Sequence, residues 1–428
     1  MLSHFKRHVA AVAASALPLA SVPVQAQSDR WAGDGGLPPF YHWTKPVTGR
    51  PGRILRSEPA PATVSIPAAG RAERILYSSS DWREPSRRIP VSGVVFFPKG
   101  TPPKGGWPLI AWAHGTTGIA DVCAPSSLPR SERDATYFRH WLDAGYAIVA
   151  TDYQGLGTPG VHPYLHYEAE GIDILDGIRA AIRAYPELSR DKILTMGQSQ
   201  GSEGAIAAAY LAPRYAPELK IRGTVATGIV AETANPGKAP QAAVPTLYAN
   251  AADYGNTAYE ILWFLGTARS MDPGAIRPED YISDAGQAMA QKAQSSCMSG
   301  LRSYAAEIRL PYAKFYKRPI DALERRVFAS TRFPDTRITT PVFIGMGLAD
   351  SEAQPAKQYN FVSAMCAAGT RVEFHYYPGA THGSAVLRSL ADSPAFVDKV
   401  MNGAPAPGNC ADLTAPGPLQ QPDQPRAM

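Results

Sequence analysis

The stretch KILTMGQSQGSEGA, residues 192–205, places one serine, Ser199, between Gly197 and Gly201. An apolar run precedes the serine and an alanine-rich segment follows it, which is the order of a strand, a tight turn and a helix. The G-x-S-x-G pattern is typical of such a turn, because the strained backbone at its tip leaves room only for small neighbours. An ordinary turn serine is the alternative, since the bare pattern is weak without this context. The context favours a nucleophile at the N-terminus of a helix, where backbone N–H groups stabilise developing negative charge.

Short apolar runs alternate with helical patterns on both sides of this stretch. The runs that predict strands are residues 91–97, 109–113, 146–151, 192–196, 221–227, 341–347 and 371–377. The patterns that predict helices are residues 132–144, 168–184, 199–211 and 352–368, and a segment after His382. Because strands that alternate with helices form a mostly parallel sheet covered on both faces, the sequence predicts an α/β fold.

The alternation is interrupted once, which divides the chain into segments. Residues 231–335 contain helical patterns without alternating strands, and they predict an inserted, mainly helical cap. Residues 27–230 and 336–405 are then the two parts of the core, and residues 27–75, rich in Pro, Gly and Arg, predict an irregular arm. The Pro-rich and Gln-rich residues 406–428 predict a loosely ordered tail.

The N-terminus has the pattern of a secretory signal peptide over residues 1–26. Lys6 and Arg7 precede an apolar run over residues 9–22, and small residues end at Ala26. This run is too short and too interrupted by proline for a membrane anchor, and no later apolar stretch reaches the length of a spanning helix. We therefore expect a protein that is secreted or periplasmic and has no stable membrane insertion.

The net charge and the cysteines further limit the class of protein to which the chain can belong. A formal net charge of +5 on 428 residues, without a basic stripe, argues against nucleic-acid binding. The four cysteines Cys123, Cys297, Cys366 and Cys410 form no C-x-x-C motif, so in an exported chain they predict two disulfides. Three pairings are possible. Cys366 with Cys410 is the simplest local pair, and it would leave Cys123 for Cys297.

A serine nucleophile needs a base, and two histidines compete for this role. Of the nine histidines, only His375 and His382 follow Ser199, which is the chain order that this architecture requires. His375 lies inside the predicted strand 371–377, where a structural role is the better interpretation. His382 follows the turn after that strand, at the edge of the sheet where active-site loops gather. His382 is therefore the predicted base.

The residue that orients the base is predicted to be Asp350. It ends the segment GMGLAD, residues 345–350, directly after the predicted strand 341–347. Glu352 is the nearby alternative. Asp350 could instead cap the helix that follows, and the two uses are compatible.

Acyl transfer also needs N–H donors for the oxyanion. The backbone amide of Gln200, the residue after the nucleophile, is one predicted donor. The loop AHGTTG, residues 113–118, follows another predicted strand, and the backbone amide of Thr116 is the second predicted donor. His114 in this loop precedes the nucleophile, so we expect it to hold the loop by hydrogen bonds.

Two motifs suggest cofactors or metals and are rejected. GLGTPG, residues 155–160, matches the dinucleotide pattern G-x-G-x-x-G, but Pro159 and Pro163 prevent a helix from starting at the glycines. His162 and His166 are four apart, but Pro163 again argues against a helix and no carboxylate completes a zinc site. The sequence thus predicts no cofactor and no metal.

The chain resembles a bacterial member of the secretory lipase family of α/β-hydrolases, related to fungal secreted lipases. The motifs that carry the resemblance are residues 39–41 and 51–56, 113–118, 151–165, 176–180 and 197–201, and the segments around Asp350 and His382. One departure is Ser202, where family members often have a second glycine; Glu203 beside it is also unusual.

The resemblance implies an α/β-hydrolase fold, a serine esterase or lipase, and a helical cap over the acyl-binding cleft. It also implies the disulfide pairing given above, and residues 151–165 that line or brace the site. The expected substrate is a small-molecule or lipid ester. An amide or peptide hydrolase with the same triad, and a non-catalytic carrier with this fold, remain the alternatives.

Overall fold

The computed structural model describes residues 29–245 and 254–423. The predicted signal peptide, residues 1–26, lies outside the described residues. The strands are β1 Ile54–Pro59, β2 Arg71–Ser80, β3 Arg88–Phe97, β4 Trp107–Ala113, β5 Ala147–Thr151, β6 Leu188–Gln198, β7 Ile221–Thr227, β8 Val342–Gly347 and β9 Val372–Tyr377. They form one nine-stranded sheet in the order β1-β2-β3-β5-β4-β6-β7-β8-β9.

The sheet is antiparallel at its first edge and parallel elsewhere. The pairs β1–β2, β2–β3 and β3–β5 are antiparallel. All pairs from β5 through β4, β6, β7 and β8 to β9 are parallel. The prediction of a mostly parallel sheet is confirmed, and the carboxyl ends of six strands therefore meet at one edge.

Helices cover both faces of the sheet. They are α1 Glu132–Asp143, α2 Tyr167–Ala184, α3 Gln200–Tyr215, α10 Pro355–Ala367, α11 Ser384–Arg388 and α12 Ser393–Met401. Alternate residues of β4 enter two separate cores. Leu109 and Ala111 pack in the core that contains residues of α2, α3 and α10, whereas Ile110 and Trp112 pack in the core that contains residues of α1 and α12. Burial on both faces explains the continuous apolar runs of the central strands.

The segment between β7 and β8 is an inserted, mainly helical cap. Its helices are α4 Tyr254–Leu262, α5 Arg269–Met271, α6 Pro278–Tyr281, α7 Asp284–Ala293, α8 Met298–Glu307 and α9 Asp321–Thr331, with a π-helical stretch, Trp263–Ala268, between α4 and α5. The cap has an apolar core of its own, which includes Ile261, Leu265, Met289, Leu301 and Val327.

Both predicted disulfides are present. Cys123 pairs with Cys297, which joins the loop after β4 to the residue before α8. Cys366 pairs with Cys410, which joins the end of α10 to the segment after α12. The first disulfide thus links the cap to the core. No helix in the described residues is long and apolar enough to cross a membrane.

The prediction of an irregular arm over residues 27–75 is wrong for β1 and for the start of β2. The strand β1 lies at the edge of the sheet, and most of its residues are only partly buried. Its apolar pattern is therefore weak. The strand β2 ends in three buried serines, and Ser79 donates a hydrogen bond of 2.7 Å to Asp173 on α2. Buried serines that are satisfied by hydrogen bonds add no hydrophobic periodicity to the sequence of a strand.

The prediction of a loosely ordered tail is wrong for residues 406–423. The Asn409 side chain accepts a hydrogen bond from the Phe374 amide at 2.8 Å and donates one to the Phe374 carbonyl at 3.0 Å. Farther along, the Gln420 amide donates to the Leu348 carbonyl at 2.9 Å. The tail therefore follows the exposed edge of β9, and its composition gives no sign of these backbone contacts.

Candidate active site

Ser199 lies at a sharp turn between β6 and α3. Its backbone has φ 57° and ψ −125°, a conformation that residues other than glycine rarely adopt. A Cβ atom added at Gly197 would lie 1.9 Å from the Gly201 carbonyl oxygen, and one added at Gly201 would lie 1.9 Å from the Ala113 carbonyl oxygen. The two glycines of the motif are thus required by the close approach of backbone to backbone.

Two hydrogen bonds hold the strained turn. The Ser199 amide donates to the Thr227 carbonyl of β7 at 3.1 Å. The Ser202 hydroxyl donates to the Ser199 carbonyl at 2.6 Å. The departure at Ser202 therefore adds a hydrogen bond within the first turn of α3. Ser199 as a whole residue is 7% exposed.

His382 and Asp350 form a hydrogen-bonded pair. The His382 Nδ1 atom donates to the Asp350 Oδ2 atom at 2.8 Å, and Asp350 is fully buried. Burial of the ring opposes its charge, but the Asp350 carboxylate and the nearby negative charge of Glu352 together outweigh burial and raise the pKa of His382. With Nδ1 engaged, the other ring nitrogen, Nε2, is the atom that can accept a proton.

Asp350 is held by four donors. Its Oδ1 atom accepts the amides of Glu352 at 2.9 Å and Ala353 at 2.8 Å, and its Oδ2 atom accepts Gln358 Nε2 at 3.2 Å besides His382. The residue that precedes α10 is Gln354, so Asp350 is not the cap of that helix. Asp350 instead orders the turn before α10 and contacts the histidine at the same time.

Glu352, the alternative acid, is engaged elsewhere. Its Oε2 atom accepts hydrogen bonds from the Tyr259 hydroxyl at 2.6 Å and from Arg302 Nη2 at 3.0 Å. Burial favours the neutral carboxyl, but His382, Tyr259 and Arg302 together outweigh burial and lower the pKa of Glu352. Glu352 therefore adds a negative charge near the histidine, whereas the hydrogen bond to the ring comes from Asp350.

Two residues that support this pair were not found from the sequence. Gln358 donates to Asp350 and accepts the Ile229 amide at 3.1 Å, so it connects α10 to the segment after β7. Gly228 has φ 59°, and a Cβ atom there would lie 2.8 Å from His382 Cε1 and 2.9 Å from His382 Nδ1. No sequence motif marks either residue, because both act through contacts between distant segments.

The residues whose backbone amides are the predicted oxyanion donors, Thr116 and Gln200, lie near Ser199. Gln200 is the first residue of α3, and Thr116 lines the same cavity as Ser199. A Cβ atom added at Gly115 would lie 3.4 Å from the Ser199 Cβ atom, so this loop passes close to the serine. The Thr116 hydroxyl is 3.0 Å from the Tyr164 hydroxyl, which ties the loop to the segment before α2.

The side chain of Gln200 lies in a buried polar network. Its Nε2 atom is 3.0 Å from His162 Nε2 and donates to Glu170 Oε1 at 2.9 Å. The His162 Nδ1 atom is 2.9 Å from the Gln154 carbonyl oxygen. Burial lowers the pKa of His162 to about 3, so the ring is neutral and Nε2 accepts the Gln200 proton. These contacts fix the side chain of Gln200, the residue that directly follows Ser199.

His114 and His375, the two other histidines that were considered as bases, have structural contacts. His114 Nδ1 is 2.7 Å from the Gly115 carbonyl oxygen, and its Nε2 is 3.3 Å from the Asp152 carbonyl oxygen. His375 lies in β9 and stacks on Phe343 at 5.1 Å. Neither histidine hydrogen-bonds to Ser199.

The rejected motifs lie in the long loop between β5 and α2. The helix α2 begins at Tyr167, seven residues after the last glycine of the G-x-G-x-x-G match at Gly160. Both rings of the histidine pair are buried, and the His166 ring packs against Trp82 at a tilt of 37°, with 3.8 Å between the ring centroids. Within residues 29–245 and 254–423, no group of three His, Cys, Asp or Glu side chains is arranged to hold a metal ion.

Two cavities meet at the serine and the histidine. The first, which we call the polar cavity, has a volume of about 390 Å³ and extends between the loop after β4, the start of α1 and the cap residues Met298 and Arg302. The second, the aromatic cavity, has about 360 Å³ and lies under the cap, against Tyr164, Trp263 and Tyr312. Both are lined by Ser199, Tyr259, Glu352 and His382.

The hydrogen bonds of the described residues include none from the Ser199 hydroxyl to the His382 ring. Contacts between a nucleophile and its base are commonly long without substrate and shorten when substrate binds. The structure therefore brings Ser199 and His382 to one cavity and joins His382 to Asp350.

Known lipases and an esterase are similar to this chain in sequence or in fold. The model of the family described as secretory lipase matches residues 129–409. Lipase A of Moesziomyces aphidis is 25% identical over 417 residues, which covers 88% of this chain and 84% of that protein. The solved structure of Candida antarctica lipase A in its closed state is similar with a TM-score of 0.64 at 19% identity, over 87% of this chain and 86% of that one. A ligand-bound rice cell wall degrading esterase, LipA from Xanthomonas oryzae, gives a TM-score of 0.58 at 16% identity, over 83% of this chain and 99% of that one.

Proposed function

Because the chain belongs to the secretory lipase family and is a carboxylic ester hydrolase of the lipase and esterase class, we propose that it cleaves esters through a Ser199–His382–Asp350 triad and an acyl-enzyme intermediate. The observation that carries the proposal is the joint placement of two features. Ser199 stands in a strained turn at a helix N-terminus, and the hydrogen-bonded His382–Asp350 pair lines the same cavity. Each feature follows a strand at the carboxyl edge of the sheet.

The proposed first step forms the acyl enzyme. The Ser199 oxygen attacks the ester carbonyl carbon while His382 Nε2 accepts the hydroxyl proton. The Asp350 carboxylate holds the ring by its Nδ1–H and stabilises the positive charge that develops on it. The carbonyl oxygen becomes an oxyanion, which the backbone amides of Thr116 and Gln200 stabilise. The protonated ring then donates its proton to the alcohol as the bond from the carbonyl carbon to the alcohol oxygen breaks.

The proposed second step releases the acid. A water molecule gives one proton to His382 Nε2 and attacks the acyl carbon. The bond to Ser199 breaks and the proton returns to the serine oxygen, so the enzyme regains its starting state. The two cavities that meet at Ser199 give separate space for the two arms of an ester. The proposed substrate is a small-molecule or lipid ester.

The family and the two disulfides indicate a secreted protein. We also propose that residues 1–26 are the export signal that is removed. N-terminal sequencing of the exported protein tests this, and a mature chain that still begins at Met1 would contradict it.

A fluorophosphonate probe tests the nucleophile. We expect covalent labelling of the folded wild type and none of Ser199→Ala, with Ser330→Ala as the control that keeps its label, because Ser330 lines neither cavity. A folded wild type that is not labelled would favour a non-catalytic carrier. A series of p-nitrophenyl esters of increasing acyl length, with a peptide p-nitroanilide beside them, separates an esterase from an amide hydrolase.

A further inference from the structure

The polar cavity holds more arginines than carboxylates. Three arginines line it, Arg130, Arg133 and Arg302, but among the described residues only two carboxylates do, Asp134 and Glu352. Since His382 is neutral when it acts as a base, the charges of the side chains that line this cavity sum to one excess positive charge.

Each carboxylate is already paired with an arginine of its own. Arg133 contacts Asp134 Oδ1 with Nη2 at 2.8 Å and with Nε at 2.9 Å. Arg302 Nη2 contacts Glu352 Oε2 at 3.0 Å. Both pairs are only partly exposed, and each balances one charge. The excess charge therefore belongs to Arg130.

Arg130 makes no ion pair within the described residues. Its Nε and Nη2 atoms are buried and make no hydrogen bond. The guanidinium group lies over the rings of Phe96 and Phe138, with its carbon 5.1 and 5.0 Å from the ring centroids. These aromatic faces attract a cation, but they provide no acceptor for its N–H groups.

The acids nearest to Arg130 are committed to other groups. Asp134 pairs with Arg133, as above. Asp152 accepts the Ser92 hydroxyl at 2.7 Å and the Ser126 amide at 2.9 Å. Burial lowers the pKa of Arg130, and Asp134 and Asp152 offset this effect only in part. A guanidinium group in this situation retains its charge and lacks the acceptors that it normally binds.

We propose that the polar cavity recognises an ester that carries a carboxylate, and that Arg130 binds this carboxylate while Ser199 attacks the ester carbonyl. The proposal rests on the esterase function given above, because Arg130 and Ser199 line one cavity. A guanidinium group donates charge-assisted hydrogen bonds to a carboxylate, which are stronger than those between neutral groups. The carboxylate can belong to the acyl arm, as in a half-ester of a dicarboxylic acid, or to the alcohol arm.

Two substrate pairs test the proposal and distinguish the two arms. Mono-p-nitrophenyl glutarate against p-nitrophenyl pentanoate varies the charge on the acyl arm. The p-acetoxybenzoate ion against its methyl ester varies the charge on the alcohol arm. We expect wild type to show a higher kcat/KM for the anionic member of at least one pair. Arg130→Gln should lower the ratio of the anionic to the neutral kcat/KM in that pair about tenfold or more. The affected pair identifies the arm.

Matched variants separate binding from folding. Arg139→Gln removes an exposed arginine of α1 that does not line the cavity, and we expect it to keep the wild-type ratio. Arg130→Lys keeps the charge without the planar group, so its ratio should fall between those of wild type and Arg130→Gln. If Arg130→Gln does not fold, the wild-type ratios and Arg130→Lys still decide.

The outcomes distinguish this proposal from the esterase function. If wild type hydrolyses the neutral esters but shows no preference for either anionic one, the carboxylate proposal is overturned and the esterase stands. A preference that Arg130→Gln and Arg130→Lys leave unchanged also overturns it. If wild type hydrolyses none of the esters, the proposed function itself fails.

Discussion

The two sides of the candidate site are built by different physical means. The nucleophile side, around Ser199, is fixed by backbone sterics, since Gly197 and Gly201 each lie against a carbonyl oxygen with no room for a Cβ atom. The side of the proposed acid–base pair, around Asp350 and His382, is fixed by hydrogen bonds that join separate segments, His382 to Asp350 and Gln358 to Ile229. The constrained residues Gly197 and Gly201 lie within one short turn and therefore leave a sequence motif, whereas residues that hydrogen-bond across distant segments do not. The two sides should also respond differently to substitution.

The largest combined effect on activity and stability is expected on the side of the proposed nucleophile. Gly201→Ala places a methyl group against the Ala113 carbonyl oxygen, which must move together with the turn that carries Ser199. We expect kcat to fall by about 10³ or more, because small displacements of a nucleophile are costly, and the free energy of unfolding to fall by about 3 to 5 kcal/mol. Ester hydrolysis and urea unfolding of the same samples measure both.

The control for this variant is Gly274→Ala. The nearest atom to a Cβ at Gly274 is 3.7 Å away, so there is room for the methyl group, and activity and stability should stay close to wild type. A Gly201→Ala enzyme with wild-type kcat would show that the steric account of the turn is wrong.

The second effect tests which carboxylate orients the base. Asp350→Asn removes the charge that holds His382 Nδ1–H, and we expect kcat to fall by about 10³ to 10⁴. Glu352→Gln should cost much less, because Glu352 hydrogen-bonds to Tyr259 and Arg302. A fall in kcat of about 10³ to 10⁴ for Glu352→Gln, with no fall for Asp350→Asn, would assign the role to Glu352.

The pH profile of the same variant provides a further readout. Asp350 raises the pKa of His382, and the ring must be neutral to accept a proton. Activity of the wild type should therefore decline as pH falls through a pKa above the usual value for histidine. In Asp350→Asn this acid limb of kcat/KM should shift to lower pH.

The third effect is smaller and concerns Gln358, a residue that hydrogen-bonds to Asp350 and not to His382. Gln358→Glu replaces the amide that donates to Asp350 with a carboxylate that repels it. We expect kcat to fall about tenfold, with little change in KM, because Asp350 loses a donor and its hold on His382 weakens. Gln241→Glu, on an exposed side chain that contacts the backbone of α10, is the matched control. Equal effects of the two variants would contradict a specific role for Gln358.

The contrast also explains how much could be predicted from the sequence. The turn at Ser199, the strands around it and the helical cap follow local patterns, and all of them were predicted. His382 and Asp350 were chosen from their order and their place after strands, and the structure joins the two by a hydrogen bond. Gln358 and Gly228 were missed, because the contacts that give them importance cross between segments far apart in the chain.

The parts of the fold that were missed lack a strong apolar pattern. The strand β1 is polar and lies at the sheet edge, and residues 406–423 are held by the Cys366–Cys410 disulfide and by backbone hydrogen bonds to β9. Neither segment buries a continuous apolar face. Hydrophobic periodicity therefore could not reveal them.

The smallest expected effect concerns Glu203, which is buried one turn into α3 behind the nucleophile. Its Oε1 atom has no hydrogen-bond partner, and burial, with a contribution from Glu232, raises its pKa from 4.5 to about 8. A pKa that is higher in the folded state gives stability that is complete below pH 4.5 and is lost as pH rises through about 8. Wild type should lose stability across this window, and Glu203→Gln should lose less, by on the order of 1 kcal/mol per pH unit. Exposed Glu307→Gln is the control for urea unfolding at pH 5 and pH 8, and equal slopes for both variants would show that Glu203 is ionised in the folded enzyme.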